Sequence, residues 1–455
     1  MEKPHIIIVI TAYMYLRDWV KAGAFEALKQ HYTVHYVAVR SDWDPCEFEK
    51  YGISQYRVIS QPHYRQFLLR RLLTVTMYKH ARMSRAFRIK LDLVRPKMRF
   101  LYRALSLPGL YDLLLWAYNR LLPKWTEFSD LVREVRPVLV LAPSLAADSY
   151  TIDMTYSAKR LGIKSLMLIN SWDNLVSKGV LPIPPDSLAV WGPQGVNQAT
   201  HVQKVPRERI VQLGVPRFES YFDDRQTAQT AHIHSFNKIP EGKKIILYAT
   251  TSMPFDDIQA LKLLDQEISS AYPEYVILFR PHPGMQRRVG EVDATECGFR
   301  NVYIDQQLAG YYAARFTLQV GNYPSFDAPL DYYPALLRSV VGMICPPTTL
   351  SLEGALNGVP CLMICYGDGR NKWLSPDLVS QYENVEEVLQ FPGVVPCYSE
   401  TELLSCFQRI VECSKDDVLR RRLVEATRYV VYRDEKPYGK RLCNLVDNLL
   451  VVNAP

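Results

Sequence analysis

No run of apolar residues in this sequence is long enough to cross a bilayer. An apolar piece, Leu110–Leu122, spans 13 residues and contains Asp112, whereas a membrane helix needs about 20 apolar residues. The apolar run that precedes Thr11 is too short for the core of a signal peptide. We therefore expect a protein that neither spans a membrane nor is exported.

Paired cysteine motifs and dinucleotide-binding glycines are also missing. The nine cysteines are scattered, and no CxxC pair is matched by a second one. This pattern favours a reduced, cytoplasmic protein without structural zinc. The first predicted strand, turn and helix contain no GxGxxG motif, which weakens a dinucleotide-binding interpretation.

Positive charge is concentrated in one part of the chain. The net charge is +7 over 455 residues, but residues 62–103 contain 12 Lys and Arg against one acid, Asp92, a net charge of +11. The remainder of the chain therefore sums to −4. A chain of this length with 48% apolar and 22% charged residues fits two globular domains with additional elements.

The basic segment, 62–125, departs from the alternation of strands and helices around it. Its apolar residues recur at three- and four-residue steps, at Met83, Phe87, Leu91, Val94, Met98, Leu101 and Leu105. This spacing predicts an amphipathic helix, which Pro96 should kink or split. Basic amphipathic helices bind anionic membrane surfaces, and we favour this interpretation. A nucleic-acid contact and a solvated helical hairpin remain alternatives, although no recognised nucleic-acid module accompanies the segment.

Residues 339–366 predict a strand, a turn, a helix and a second strand. Val340–Cys345 and Cys361–Cys365 are continuous apolar runs, as in buried parallel strands. The polar residues at the start of the intervening helix are Thr348, Thr349, Ser351 and Glu353. Hydroxyls and free N–H groups at a helix N-terminus are typical of a phosphate site. The alternative is that these side chains only cap the helix.

A second polar segment lies upstream, directly after another short apolar strand. Tyr275–Phe279 leads into the sequence RPHPG, residues 280–284, whose prolines and glycine make a rigid strand exit. Arg280 and His282 can both donate hydrogen bonds to a phosphate. Ligands of open α/β sheets bind outside the carboxyl ends of the strands, and both polar segments are predicted at that end.

These motifs resemble the donor half of GT-B glycosyltransferases, near the bacterial surface-polysaccharide transferases and their CDP-glycerol-transferring relatives. The resemblance rests on RPHP after a strand and on PPTTLSLEGALNGVP between two strands. It also rests on residues 171–179, SWDNLVSKG, which are similar to a segment of capsule and lipopolysaccharide transferases. It covers most of the chain outside 62–125. It implies an α/β fold of GT-B architecture, with two Rossmann-like domains that face a cleft and a basic helical insertion in the first.

The domain limits that we predict combine this resemblance with the composition of the chain. An N-terminal, acceptor-side domain spans 1–216 and contains the insertion. A polar linker, 217–243, leads to a nucleotide-sugar donor domain, 244–430. Residues 431–455 are expected to form a helix that packs back toward the first domain.

The resemblance places donor binding in the second domain. It implies that Arg280, His282 and the turn Thr348–Ser351 hold the donor phosphates, that Glu353 holds the ribose, and that His282 also takes part in catalysis. Further donor-side candidates, which can instead form an ordinary turn, are Thr250, Thr251 and Ser252. This arrangement requires no cofactor and no metal. One DxD pattern, at residues 42–44, lies in the first domain, the wrong place for a donor metal.

The acceptor is expected on the first domain. Asp173 is the candidate base, because a carboxylate at a strand exit beside Trp172 and Asn174 is placed to remove a proton from the acceptor. Alternatively, Asp173 caps the following turn through an Asx bond. Lys178 is a candidate anion-binding residue. Arg17 follows the first strand, where it either lines the cleft or begins a solvated helix.

Three functions fit these features. We predict transfer of a sugar from a nucleotide-activated donor to a glycolipid or polysaccharide in bacterial surface polysaccharide biosynthesis. The enzyme would be cytoplasmic, would contact the inner membrane surface through 62–125 and would bind no nucleic acid. The second possibility is another enzyme of the same fold, a polyol-phosphate (CDP-glycerol-type) transferase or a sugar-nucleotide 2-epimerase. The third is a non-catalytic subunit that binds nucleotide or glycan.

Overall fold

A computed structural model of the chain describes residues 3–39, 45–95, 97–222, 231–253, 255–282, 294–310, 329–370 and 374–451. The chain divides into two compact units. The first unit is Met1–Glu219 together with Arg428–Pro455, and the second is Ser220–Thr427. Each unit is built on one parallel sheet with helices, which confirms the predicted α/β class.

The described strands of the first unit form a sheet in the order β3-β2-β1-β4-β5-β6-β7. They are β1 (His5–Ile10), β2 (Thr33–Ala38), β3 (Tyr56–Val58), β4 (Leu139–Ser144), β5 (Lys164–Ile169), β6 (Ser187–Val190) and β7 (Ile210–Gln212). The middle of the sheet is buried on both faces, so Ile6 to Ile10 of β1 are inaccessible to solvent. Because all the pairings are parallel, the carboxyl ends of these strands lie along one edge.

Helices cover both faces of this sheet. The α-helices are Tyr13–Tyr15, Glu26–His31, Pro45–Glu49, His63–His80, Arg85–Val94, Arg99–Leu105, Leu110–Leu121, Thr126–Val135, Ser149–Arg160, Pro193–Asn197 and Tyr438–Val451. Single π-helical turns occupy Leu16–Lys21, Asn174–Lys178 and Gln198–Val202, and a 3₁₀ turn occupies Arg207–Arg209. Tyr438 and Leu442 of the last helix are buried in the same core as Ile6 and Phe25.

The apolar stripe of the basic segment is divided between two helices. Arg85–Val94 ends at Arg95, which has a left-handed φ of 41°, and the next helix begins at Arg99. Phe87 is buried, whereas Val94 is exposed. The helix is therefore split close to Pro96, as predicted, and Phe87, Leu91 and Tyr102 from its two parts belong to one buried cluster. No helix among the described residues is long and apolar enough to span a membrane.

The described strands of the second unit form a parallel sheet in the order β10-β9-β8-β11-β12-β13. They are β8 (Lys244–Ala249), β9 (Tyr275–Arg280), β10 (Val302–Ile304), β11 (Val340–Cys345), β12 (Cys361–Ile364) and β13 (Val394–Cys397). Its α-helices are Ala231–Phe236, Asp257–Ala271, Tyr332–Ser339, Thr349–Leu356, Pro376–Val379, Glu383–Leu389, Leu403–Cys413 and Asp417–Ala426. Short 3₁₀ turns occupy Ala294–Glu296 and Glu400–Glu402, and two more, Pro216–Phe222 and Thr427–Tyr429, lie where the chain passes between units.

The described part of the predicted linker is packed rather than exposed. Ile233 and Ile239 are both 4% exposed. The Asn237 side chain donates to the carbonyl of Ile233 and accepts from the backbone N–H of Gln306. Residues 231–243 of the predicted linker, 217–243, therefore contain buried aliphatic side chains despite their polar composition.

Candidate functional site

The polar groups of the second unit gather where β8 and β9 end. Thr250 N donates to Arg280 O at 3.0 Å, which continues the pairing of the two strands by one residue. Thr250 Oγ1 then accepts from the backbone N–H of His282 at 2.8 Å. The hydroxyl of Thr250 thus fixes the chain at His282, whose side chain is partly exposed. Thr251 is buried beside Thr250, and Ser252 is exposed.

Arg280 points into the protein at this edge. Its guanidinium is 4% exposed and forms an ion pair with Asp305, which directly follows β10 and is inaccessible to solvent. It also donates to the Tyr333 hydroxyl. Tyr332 OH lies 2.6 Å from the other oxygen of Asp305. These bonds connect the ends of β9 and β10. Arg280 therefore stabilises this edge of the sheet from the interior of the protein.

The helix Thr349–Leu356 begins at the same edge, after β11. The Thr348 side chain forms no capping bond to it, although Thr348 has the extended backbone of an N-cap residue. Ser351 Oγ donates to Thr348 O at 2.6 Å. The simple capping alternative therefore does not describe Thr348. The helix begins after β11, the strand that pairs with β8, and helix N-termini are positions at which proteins commonly bind anions.

Glu353 is buried on the first turns of this helix. It is 8% exposed, and its carboxylate accepts a hydrogen bond from the Tyr221 hydroxyl. The carbonyl of Tyr221 accepts from Arg338 Nη2 at 3.0 Å. Glu353 is therefore held by Tyr221 in the interior and does not lie on a solvated surface.

A polar cavity of about 600 Å³ opens at the ends of β8, β12 and β13. Its lining includes Asp256, Asp368, Arg370 and Asp377, and Arg370 forms an ion pair with Asp256. The sequence analysis missed these residues. The available signal was the polar segment 367–370, GDGR, directly after the apolar strand that ends at Cys365, the same kind of strand exit as RPHP.

In the first unit, the segment 171–179 follows β5 and forms a compact turn. Asn174 Oδ1 accepts from Ser171 N at 2.8 Å, and Ser177 Oγ donates to Asp173 O at 2.9 Å. Trp172 is buried. Gly179 allows this turn to lie against the backbone of Ala146, since a Cβ at this position would be 1.9 Å from Ala146 O.

The carboxylate of Asp173 interacts with side chains and caps no backbone N–H. Its partners are Lys178 Nζ at 3.2 Å, Asn174 Nδ2 at 3.3 Å and Ser177 Oγ at 3.4 Å. The Asx-turn alternative is therefore not what the structure shows, because Asn174 makes the turn-closing bond. The Asp173 side chain remains 22% exposed.

Lys90 is a neighbour of this turn that the sequence analysis did not single out. It lies on the helix Arg85–Val94, and its ammonium donates to the carbonyl of Ser177. Burial lowers the pKa of Lys90 to about 8, although the nearby charge of Asp173 opposes the shift. Ser84 Oγ also donates to Val176 O at 3.0 Å. The basic segment thus contributes a lysine to the candidate acceptor-side site.

Arg17 lies after β1, where it forms an ion pair with its neighbour Asp18 at 2.7 Å. Asp18 is buried and is also 3.2 Å from Arg217. Arg17 is therefore part of a charge cluster and does not simply begin a solvated helix. The DxD pattern at 42–44 lies outside the described residues. Within the described ranges, no three His, Cys, Asp or Glu side chains form a potential metal site.

Comparison with known proteins matches one part of the chain to a family and the whole chain to structures of similar fold. The family model for CDP-glycerol:poly(glycerophosphate) glycerophosphotransferases matches residues 196–303, which include Thr250, Arg280 and His282. The glycotransferase of kitacinnamycin has a similar structure, with a TM-score of 0.52 and 14% identity over 99% of this chain and 100% of that one. The calicheamicin glycosyltransferase CalG4 gives a TM-score of 0.51 and 12% identity over 100% of both chains.

An epimerase has the same fold. UDP-GlcNAc 2-epimerase from Neisseria meningitidis, bound to UDP-GlcNAc, gives a TM-score of 0.50 and 11% identity over 99% of this chain and 100% of that one. No curated protein matches the chain. At these identities the structural likeness establishes the fold, which is the predicted GT-B class. The family match supports a transferase that uses a nucleotide-activated donor.

Proposed function

We propose that this chain is a glycosyltransferase that moves a sugar from a nucleotide-activated donor to a glycolipid or polysaccharide acceptor of bacterial surface polysaccharide biosynthesis. The observation that supports it best is the meeting of three polar features at the carboxyl edge of the second sheet. They are the Thr250–His282 bond, the N-terminus of Thr349–Leu356 and the buried Glu353. Such an edge is where α/β folds bind phosphorylated ligands.

The donor phosphates would be bound by the helix N-terminus and by His282. As the bond from the sugar to the leaving phosphate breaks, negative charge accumulates on the phosphate oxygens. Fixed N–H donors stabilise this charge without reorganisation. Glu353, held by Tyr221, would accept hydrogen bonds from the ribose hydroxyls. Arg280 acts as a positioning residue, because its guanidinium is engaged by Asp305 and Tyr333.

Asp173 would remove the proton from the acceptor hydroxyl. Its carboxylate is partly buried and still accessible, as a general base must be. The two cations near it, Lys178 and Lys90, would attract an anionic acceptor. We expect the reaction to need no metal, and activity that survives treatment with a chelator would support this expectation.

A polyol-phosphate transferase is the second candidate, and the family match over 196–303 favours it. Both enzymes need a nucleotide donor, but the transferred group differs. In glycosyl transfer the bond between the sugar and its phosphate breaks. In polyol-phosphate transfer the bond between the two phosphates breaks, and the phosphate attached to the polyol moves with it to the acceptor. With a nucleoside diphosphate donor, the released nucleotide distinguishes the two reactions, because it is a diphosphate in the first and a monophosphate in the second.

Thermal unfolding in the presence of a nucleotide panel tests the proposal. UDP, CDP, GDP and their sugar or glycerol derivatives are added to the purified chain at equal concentration. Stabilisation by one nucleotide family is expected, since a ligand at 100 times its Kd adds about 2.7 kcal/mol. Stabilisation without turnover of any derivative would favour a non-catalytic subunit. The absence of any stabilisation would contradict donor binding.

We also propose that the protein is cytoplasmic and peripheral to the inner membrane, through the basic segment 62–125. The observation in support is the net charge of +11 between residues 62 and 103, combined with exposed apolar side chains on the same helices. Co-sedimentation with neutral and anionic vesicles at two salt concentrations tests it. Binding to anionic vesicles should weaken as salt rises, and equal binding to both lipids would contradict a charge-driven contact.

A further inference from the structure

Three helices of the basic segment enclose an apolar groove. Its walls come from His63–His80, Arg99–Leu105 and Leu110–Leu121, and its volume is about 580 Å³. Among the described residues that line it, Arg71 is the one with a charge, and the others are aliphatic or aromatic. A concave apolar site of this size is in the range that proteins use for small ligands.

The rim of this groove exposes large apolar side chains to solvent. Phe67 is 56% exposed and Leu121 is 72% exposed, and both line the groove. Leu68 and Leu101 also line it and are 42% and 46% exposed. Scattered apolar residues on a surface are common, but a contiguous group around a groove marks an interaction site.

One cation lines the groove, and others are exposed on the helices that form it. Arg71 is in the wall, where it donates to the Tyr102 hydroxyl. Arg70 is exposed on His63–His80, and Arg99 and Arg103 are exposed on Arg99–Leu105, outside the lining itself. The ligand should therefore combine a hydrocarbon chain with a negative charge. A second copy of this chain would bring the same positive charge and be repelled, and a nucleic acid would leave the apolar groove unfilled.

We propose that this groove binds one acyl chain of an anionic phospholipid taken from a membrane surface, with the phosphate of the lipid against the neighbouring arginines. This goes beyond the proposed function, because it adds a ligand that is neither the donor nor the acceptor. Such binding also differs from general adsorption to a charged surface. A groove holds a single acyl chain, and affinity stops rising once the chain is long enough to fill the groove.

Soluble single-chain amphiphiles test the groove on the full-length protein without membranes. Hexyl, octyl and decyl phosphate are titrated below their micellar concentrations, and binding is followed by calorimetry. Affinity should rise by about fourfold for each buried methylene until the groove is full. Alkyl maltosides of equal chain length should bind more weakly. An affinity independent of chain length, or equal for the two headgroups, would overturn the proposal.

A matched pair of variants separates the groove from the surrounding surface. Ala117 lines the groove, whereas Ala104 lies exposed outside it. Ala117→Phe should fill the groove and remove the chain-length dependence, and Ala104→Phe should leave it unchanged. Leu121→Ser provides a second test that does not risk the fold, because this side chain is mostly exposed; it should weaken decyl phosphate binding several-fold. Unchanged binding in both Ala117→Phe and Leu121→Ser would exclude the groove as the binding site for the alkyl chain. This result would be independent of the nucleotide experiments that test the proposed function.

Discussion

Lys178 Nζ lies 3.2 Å from Asp173 Oδ2, within one turn of the chain after β5. Among the described residues, no backbone N–H donates to this carboxylate, and Asn174 closes the turn instead. The side chain of Asp173 is 22% exposed, so an acceptor hydroxyl could reach its carboxylate.

Asp173→Asn should therefore abolish turnover and leave donor affinity unchanged. Asn keeps the shape of Asp173 and its contacts with Ser177, but it cannot remove a proton, so we expect a loss of about 100-fold or more. Turnover and nucleotide binding are measured on the same preparation. Lys178→Met is the companion variant and should reduce turnover less. Loss of nucleotide binding in Asp173→Asn would place Asp173 in the donor pocket and refute its role as base.

Arg280→Met should destabilise the second unit. The variant leaves Asp305 charged and buried without its partner, and breaking a buried ion pair in this way costs about 3–5 kcal/mol. Urea unfolding followed by circular dichroism measures the loss. Arg300→Met is the control, because Arg300 is exposed and a surface substitution changes stability by about 0.5 kcal/mol or less. Equal stability of the two variants would show that the buried pair is not a structural support.

Gly179→Ala should disrupt the turn that holds Asp173. The added Cβ would lie 1.9 Å from Ala146 O, and backbone atoms cannot move aside without displacing β4 or the turn. Overpacking of this kind costs about 1–3 kcal/mol. Gly310→Ala serves as the control, since nothing lies within 4 Å of a Cβ there. If thermal unfolding and turnover of the two variants match the wild type, the close approach at Gly179 is not required.

The stability of the first unit should fall between pH 6.5 and 4 because of His80. Burial, with Lys79 adding to it, lowers the pKa of His80 to about 4. The unfolded chain, with a pKa near 6.5, then binds the proton more readily, so acid favours unfolding by up to about 1.4 kcal/mol per pH unit. His80→Leu should flatten this dependence. His63 is exposed at the other end of the same helix, so the stability of His63→Leu should depend on pH as that of the wild type does. If the stability of His80→Leu shows the same pH dependence as the wild type, His80 is not its cause.

The strands of the sheet centres could be predicted from the sequence. β11 has the predicted bounds, and β9 and β12 agree with the prediction to within one residue, because buried parallel strands are continuous apolar runs. The short strands at two sheet edges could not be predicted from the sequence. Tyr56–Val58 contains an arginine and Val394–Cys397 contains a proline, so neither reads as an apolar run, and each is defined by its pairing with a neighbouring strand.

The candidate site was predictable in part for a similar reason. Short motifs such as RPHP and SWDN can be recognised in the sequence, because they are polar residues that directly follow apolar strands. Contacts between residues from distant segments cannot be recognised in this way. Lys90 reaches Ser177 across 87 residues of chain, and Arg280 meets Asp305 only because β9 and β10 pair in a particular register. From the sequence alone, Lys90 is one of the twelve basic residues of 62–103, and Arg280 is a candidate phosphate ligand.

Donor binding at the carboxyl edge of the second sheet is tested most directly by calorimetric titration of CDP and UDP into the wild type and into the variants His282→Ala and Glu353→Ala. We predict saturable binding of one nucleotide to the wild type. Each variant should remain folded and bind about 10- to 100-fold more weakly, because each loses a charge-assisted hydrogen bond to the ligand. Wild-type affinity in both folded variants, or no binding of either nucleotide to the wild type, would contradict a donor site at this edge.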